Sequence, residues 1–152
     1  MSRRKSRILA FQGLYSFEVG KIPLDEILKF DWNFAEPEDK DSEDSSEKEI
    51  EPVDSIVFAR MIVSGTIEHL EEIDGIIKNH LKTWDIERVN KVSLSILRMS
   101  VYSLKYQTDI QPSIVIDEAI HIAKEFGPDG SFKFVNAILD NIKKFLNGES
   151  AD

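Results

Sequence analysis

The feature that most restricts the fold of this chain is a stretch near its middle that is apolar around almost its whole circumference. Residues 87–106, ERVNKVSLSILRMSVYSLKY, place large apolar side chains on every side of a helical wheel, separated mainly by small serines. A helix without a polar face has to be enclosed by protein. The stretch therefore predicts a central helix with other helices packed around it.

The other regular segments also show the 3.6-residue period of helices. The predicted helices cover residues 3–18, a short segment from Pro23, residues 56–82, a segment that Ser113 caps and Gly127 ends, and a last segment from Ser131. The pattern over 56–82 allows one bent helix or two, because Gly75 interrupts it. Since no segment alternates as a strand does, we predict an all-α fold.

The apolar stripes of these helices predict the core. Tyr15 falls on the inner side of the first helix, Phe126 on that of the helix after Ser113, and Phe145 on that of the last helix. We expect the rings of Phe126 and Phe145 to be buried.

An acidic segment accounts for most of the negative charge. Residues 36–54, EPEDKDSEDSSEKEIEPVD, hold ten acidic residues against two lysines, a net charge of -8 in a chain whose net charge is -9. A stretch so poor in apolar side chains cannot offset the entropy lost on ordering. We predict a disordered surface segment in an otherwise single domain of 152 residues. The rest of the chain is nearly neutral.

Several classes of protein are disfavoured. The chain has no cysteine, its three histidines lack a metal-ligand spacing, and no phosphate-binding, dinucleotide-binding or serine-nucleophile motif is present. No apolar run is long enough to span a membrane, and the start lacks the pattern of a signal peptide. We expect a cytoplasmic, non-catalytic protein without metal or cofactor.

The first candidate binding feature is a basic cluster at the start of the chain. It consists of Arg3, Arg4, Lys5 and Arg7, with no carboxylate before Glu18. An exposed group of four bases can bind phosphates, and arginine can do so with two hydrogen bonds. The simpler alternative is a basic terminus that only aids solubility.

A second candidate lies at the start of the last helix, in GPDGSFKFVN. Phe132, Lys133 and Asn136 fall toward the polar side of the wheel, whereas Phe134 leans toward the apolar stripe. An exposed ring can stack on an RNA base, while the lysine and free backbone N–H groups bind phosphate and the amide reads a base edge. Alternatively, Phe132 folds under the preceding loop as a hydrophobic contact.

Arg98 is the third candidate, because it carries the only charge between Lys91 and Lys105 in the central helix. The more conservative interpretation is an ion pair with a carboxylate such as Asp117 or Glu118. The other is a contact to a ligand at the surface of the bundle.

Four segments together resemble the NusB family of transcription antitermination factors. They are RRKSRILAFQGLYSFE from residue 3, ILRMSVYSL from residue 96, IDEAIHIAKEFG from residue 116 and KFVNAILD from residue 133. The resemblance runs from about residue 3 to 146 and omits only the acidic segment. KFVN, followed by a small residue, an apolar residue, Leu and Asp, is its most specific part.

The resemblance implies a helical bundle of about seven helices in two subdomains, without catalytic activity. Proteins of this family bind boxA, a single-stranded RNA element of ribosomal RNA leader transcripts. They bind it as a heterodimer with NusE, a small-subunit ribosomal protein, and help RNA polymerase to resist termination. By position, the resemblance assigns RNA contacts to Arg3, Arg4, Lys5, Arg7, Gln12, Arg98, Ser131, Phe132, Lys133, Phe134 and Asn136. It also places Tyr15 in a motif that serves the NusE side, the RNA side or the core.

Two positions depart from the family pattern, and three alternatives stay open. Many members have an acidic or polar residue where this chain has Gly130, and the acidic segment at 36–54 is unusual. The main alternative is a helical protein-interaction adaptor without RNA binding. An RNA cytosine methyltransferase fused to such a domain is disfavoured, since 152 residues leave no room for a catalytic domain. Homodimerisation is compatible with the sequence, because some members of the family self-associate.

Overall fold

The computed structural model describes residues 3–31, 52–82 and 85–148, except for the side chains of residues 52 and 53. These residues form helices joined by loops, and they contain no strand. Seven α-helices follow one another: α1 (Arg3–Val19), α2 (Leu24–Ile27), α3 (Pro52–Glu68), α4 (Leu70–His80), α5 (Lys91–Tyr106), α6 (Pro112–Phe126) and α7 (Ser131–Leu146). A short 3-10 helix, Ile86–Arg88, precedes α5. The all-α prediction is confirmed.

The chain divides into two compact units, residues 1–64 and 65–152. In the first unit, α2 packs against α1, and the Arg60 Nε donates a 2.6 Å hydrogen bond from α3 to the carbonyl oxygen of Leu28. In the second unit, α5 packs against α4, α6 and α7, and α6 packs against α7. No described helix is long and apolar enough to cross a membrane.

The central position predicted for α5 is confirmed. Every residue from Ser93 to Ser103 is buried. The Asn90 side chain caps the helix by accepting a 2.9 Å hydrogen bond from the Ser93 N–H, and the Ser95 Oγ donates to the Lys91 carbonyl oxygen at 2.8 Å. The buried hydroxyl of Ser95 is thus satisfied within α5 itself.

A glycine in α3 allows that helix to approach α5 closely. A Cβ atom on Gly65 of α3 would lie only 2.3 Å from the ring of Tyr102 in α5. Any side chain there would force one of the helices to move. Gly65 is therefore required by contact with α5 rather than by backbone conformation.

The helical pattern over 56–82 forms two helices, and the break is at His69 rather than at Gly75. His69 leaves helical geometry with φ -107° and ψ 23°, and its carbonyl oxygen accepts from the Ile73 N–H at 2.9 Å. Gly75 lies inside α4 with open space beside it. The glycine signal in the sequence therefore pointed to the wrong residue.

Three further details of the prediction were wrong. Helix α6 begins at Pro112, and Gln111 precedes it without a side-chain capping hydrogen bond, so Ser113 lies inside the helix instead of capping it. Proline is favourable at that position because its missing N–H would have had no helical partner. Phe126 and Phe145 are 37% and 53% exposed. The turn between α6 and α7 follows the prediction more closely, since Gly127 ends α6.

Most of the predicted acidic segment at 36–54 lies outside the described residues. Its last three residues belong to α3, which begins at Pro52. Proline suits the first turn of a helix, and Asp54, also in that turn, lies near the positive end of the helix dipole. The end of the predicted segment is therefore also a helix start.

Candidate nucleic-acid interface

The basic cluster forms the first turns of α1. Arg3 and Arg4 are exposed and Lys5 is half-buried. The first turn contains no acidic residue, although negative charge is what favours the N-terminal end of a helix. Arg3, Arg4 and Lys5 therefore lie together at the positive end of the α1 dipole, in the first unit.

The cluster is not uniformly exposed, however. Arg7 is buried, with 7% of its surface exposed. Its guanidinium carbon lies 5.4 Å from the ring centroid of Phe58 in α3, and that of Arg3 lies 4.1 Å from the same centroid. Both distances are within the range of cation–π attraction. The expectation of four exposed bases was therefore wrong for Arg7, which is buried, and for Lys5, which is half-buried, whereas Arg3 stays exposed although it also lies over Phe58.

The remaining predicted residues of α1 lie farther along the helix. Gln12 is half-buried. Tyr15 is 36% exposed, with its ring tilted against Phe11 at a centroid distance of 6.4 Å. Val19 and Ile22, 47% and 39% exposed, follow Tyr15 along the chain. Tyr15, Val19 and Ile22 are thus three partly exposed apolar side chains of the first unit, here called the apolar strip.

The start of α7 presents its polar residues to solvent. Lys133 and Asn136 are exposed, while Ser131, Phe132 and Phe134 are half-buried. Gly130 precedes them with φ 80°, a left-handed conformation that glycine adopts without strain. The wheel placed Lys133 and Asn136 correctly but overestimated the exposure of Phe132.

Two backbone groups at this helix start are already occupied. The Ser131 N–H donates to the Pro128 carbonyl oxygen at 3.0 Å, and the Lys133 N–H donates to that of Gly130 at 3.1 Å. The Ser131 Oγ is buried without a hydrogen-bond partner among the described residues. Phosphate binding here would therefore rely on the Lys133 side chain more than on free N–H groups.

A residue that the sequence did not single out joins this site. The Lys124 Nζ, from the last turn of α6, lies 4.7 Å from the ring centroid of Phe132. The short connection through residues 127–130, together with the packing of α7 against α6, brings this lysine to the aromatic ring. Its signal was present in the segment IDEAIHIAKEFG, but its neighbour could be identified only from the fold.

Arg98 forms an ion pair inside the second unit. Its Nε and Nη2 donate to the two carboxylate oxygens of Asp74 in α4, each at 2.8 Å. The side chains of Arg98 and Asp74 are 10% and 20% exposed. The structural interpretation of Arg98 therefore has a definite partner, although the carboxylate belongs to Asp74 and not to the Asp117 or Glu118 that the sequence suggested.

A polar and aromatic cluster lies between α4 and α5. The Tyr106 hydroxyl donates to the Glu72 carboxylate, which also accepts from the Lys105 Nζ at 3.0 Å. These two hydrogen bonds lower the pKa of Glu72, and the bond to Glu72 raises the pKa of Tyr106 to about 12. His69 stacks on Tyr106 with a centroid distance of 4.3 Å. Within the described part of the chain, neither this cluster nor any other group of His, Asp and Glu could hold a metal ion.

Comparison with known proteins identifies the family. The sequence model of the NusB family matches residues 4–144. The chain belongs to the NusB family. The transcription antitermination protein NusB of Treponema denticola is 50% identical over 143 residues, which cover 94% of this chain and 96% of that protein. The NusB protein of Borreliella burgdorferi is 42% identical and covers 91% of both chains.

Solved NusB structures share the fold. Thermotoga maritima NusB superposes with a TM-score of 0.78 at 34% identity, over 95% of this chain and 92% of that one. A chain from a crystal structure of the antitermination factors NusB and NusE in complex with double-stranded RNA has a TM-score of 0.73 at 27% identity, over 95% and 99%. The resemblance read from four sequence segments is thereby confirmed.

The NusB match also covers the predicted site. All predicted RNA-binding residues lie within residues 4–144 except Arg3, which immediately precedes them. Those of α1 belong to the first unit, and Arg98 and those of α7 belong to the second. Each unit therefore carries its own set of candidate contacts.

Proposed function

We propose that this NusB-family chain is an RNA-binding transcription antitermination factor. It binds boxA-type single-stranded RNA of ribosomal RNA transcripts together with NusE, and acts in the cytoplasm as part of an RNA polymerase complex that resists termination. Its role is recognition and assembly, without catalysis. The observation that carries this proposal is the group of basic residues in the first turn of α1, where the helix dipole adds to their charge.

The contacts to RNA differ in kind along α1. Arg3 and Arg4 are exposed and can reach phosphate oxygens directly. Lys5 adds a half-buried charge. Arg7 does not contact RNA itself but supports this surface, because its guanidinium packs on the Phe58 ring and holds α1 to α3. Gln12, two turns farther along α1, would reach a base edge at the limit of this surface.

The start of α7 supplies a second set of contacts. Lys133 binds phosphate, Asn136 hydrogen-bonds to a base edge, and the Phe132 ring, with Lys124 beside it, offers a stacking surface. Ser131 and Phe134 shape this helix start. Arg98 acts indirectly, by holding α5 to α4 through Asp74.

NusE is the proposed occupant of the apolar strip on the first unit. Tyr15, Val19 and Ile22 are each more than a third exposed; the first two lie in the last turns of α1, and Ile22 lies in the connection to α2. A related NusB chain has been crystallised with NusE and RNA. An aromatic edge beside two aliphatic side chains suits a protein partner better than RNA.

A helical adaptor without RNA binding is the second candidate. The observation in its favour is the position of Arg3 and Arg7 over Phe58, which gives part of the basic cluster a structural role. Such a protein would use its exposed residues on acidic protein partners or on a second copy of itself. It would show no preference among RNA sequences.

Fluorescence anisotropy with a boxA-containing RNA and a scrambled RNA, with and without NusE, tests the proposal. About four to six phosphate contacts to a single strand predict a slope of roughly -3 to -4 for log K against log salt concentration. We expect sequence-preferring binding that NusE strengthens and that Arg4→Ala or Lys133→Ala weakens, whereas Arg88→Ala and Lys78→Ala, which remove exposed charges elsewhere, leave the sequence preference intact. Equal, weak binding to both RNAs under all conditions would refute RNA recognition and leave the adaptor.

A further inference from the structure

The exposed face of α7 carries a line of charge that continues well beyond the helix start. Lys133 and Lys144 are both exposed. Eleven residues make almost three complete helical turns, so these lysines lie on one line along the helix, about 16 Å apart. Asn136 and Ala137, also exposed, lie between them. The buried residues of α7 occupy the opposite side.

The charges on this line are unevenly paired. Lys143 and Lys144 share a single carboxylate, that of Asp140, at 3.7 Å and 3.4 Å. Elsewhere in the second unit, Arg98 pairs with Asp74, and Lys105 pairs with Glu72. Two lysines and one aspartate thus leave the described end of α7 with one excess positive charge, while Arg98 and Lys105 of α5 each pair with a different carboxylate.

We propose that this face of α7, from Lys133 to Lys144, is a track for the phosphate backbone of the bound RNA. The proposal rests on the proposed function and extends it, since it assigns phosphate contacts to Lys143 and Lys144 and makes Asp140 a carboxylate that weakens RNA binding. The distance of about 16 Å between Lys133 and Lys144 is long enough for the track to contact more than one successive phosphate of a single strand.

If Lys143 and Lys144 had a purely structural role, their substitution would change stability and not RNA affinity. Cations in the last turn stabilise a helix through its dipole, and both lysines lie in the last turn of α7. In that role, Lys144→Ala lowers the stability of the protein without changing RNA affinity, and Asp140→Asn leaves RNA affinity unchanged. In a phosphate track the two substitutions have opposite effects on affinity.

The test is RNA binding by the full chain, measured by anisotropy over a salt series with boxA-containing RNA. Lys144→Ala should weaken binding about two- to fivefold, as expected for one exposed charge contact, and reduce the magnitude of the salt slope by about 0.7. Asp140→Asn should strengthen binding by a similar factor. Thermal unfolding of each variant shows whether folding is affected.

Matched controls remove the same charges elsewhere in the second unit. Lys78 is an exposed lysine in the last turn of α4, and Glu71 is an exposed acid in its first turn. Helix α4 contacts α7 away from the line of Lys133 and Lys144, since the ring of His80 meets the ring of Phe145 edge-on at a centroid distance of 5.3 Å. Lys78→Ala and Glu71→Gln should therefore change RNA affinity much less than the α7 variants do.

The length of the RNA provides a second readout. Shortening the RNA stepwise from the end that lies on the track should abolish the difference between Lys144→Ala and the unmodified protein, because the phosphate that Lys144 contacts is then missing. Each end of the RNA is shortened in turn to find the one that matters. Equal effects of the α7 variants and their controls, with normal RNA binding by the unmodified protein, would overturn the track alone. Absence of RNA binding by the unmodified protein would instead refute the proposed function.

Discussion

Removing the carboxylate of Asp74 tests whether Arg98 is a structural residue or an RNA contact. The substitution Asp74→Ala leaves the guanidinium of Arg98, a residue only 8% exposed, without the carboxylate that accepts two of its hydrogen bonds at 2.8 Å. Breaking a buried ion pair typically costs 3–5 kcal/mol. Because the Asp74 side chain is 20% exposed, water already screens the pair, and we expect a loss of about 2–3 kcal/mol.

Substituting Arg98 instead of Asp74 should lower the free energy of unfolding by less. Arg98→Met fills the space with an apolar side chain and leaves a carboxylate that can turn toward water, so we expect a loss of about 1–2 kcal/mol. The double variant Asp74→Ala/Arg98→Met contains no unpaired buried charge, so its free energy of unfolding should lie within about 1 kcal/mol of that of the unmodified protein. The two single losses are therefore strongly non-additive if the pair is the main role of both residues.

Urea unfolding followed by far-UV circular dichroism measures these free energies, and anisotropy with boxA-containing RNA measures function in the same variants. If Arg98 acts only through Asp74, the double variant binds RNA normally. If Arg98 touches RNA, the double variant loses affinity although its stability is restored. A loss of less than about 0.5 kcal/mol in Asp74→Ala, which is the range of an ordinary surface substitution, would refute the structural assignment.

Three other predictions follow from contacts elsewhere in the chain. Gly65→Ala should destabilise the protein by about 1–3 kcal/mol, because its Cβ would meet the Tyr102 ring at 2.3 Å. Gly75→Ala, with open space around it, should instead stabilise by about 0.5–1 kcal/mol, and urea unfolding of both variants checks this difference in sign. Glu72→Gln removes the carboxylate that raises the pKa of Tyr106 to about 12, so ultraviolet titration should show this phenol ionising nearer its ordinary value of about 10; an unchanged titration would contradict the hydrogen bond. Lys124→Gln should weaken RNA binding about two- to fivefold, as for one exposed charge contact, and an affinity equal to that of Lys82→Gln would exclude Lys124 from the interface.

The features that could be predicted from the sequence are those encoded within a few residues of one another. The burial of α5 follows from apolar side chains at every angle, and the end of α6 follows from Gly127. The break at His69 carries no such local signal. The exposure of Phe126 and Phe145 also depends on how far the neighbouring helices extend, which the period of one helix does not contain.

In the candidate site, too, the local features could be predicted from the sequence and the contacts between distant residues could not. Residue type and helical position sufficed to select the bases of α1 and to expose Lys133 and Asn136. The partners of the charged residues could not be found in this way. Asp74 is 24 positions from Arg98 along the chain, and the ring that engages Arg3 and Arg7 belongs to another helix.

Those partners determine which charges are available to a nucleic acid. Arg7 looked equivalent to Arg3 in the sequence, and Arg98 was already suspected of an ion pair; both are buried, and an internal ring or carboxylate interacts with each. A buried, paired cation releases no counterion when RNA binds, so it cannot contribute to the salt dependence of binding. The measured salt slope should therefore reflect the exposed bases of α1 and the lysines near and along α7, and substitution of Arg7 or Arg98 should change stability more than it changes that slope.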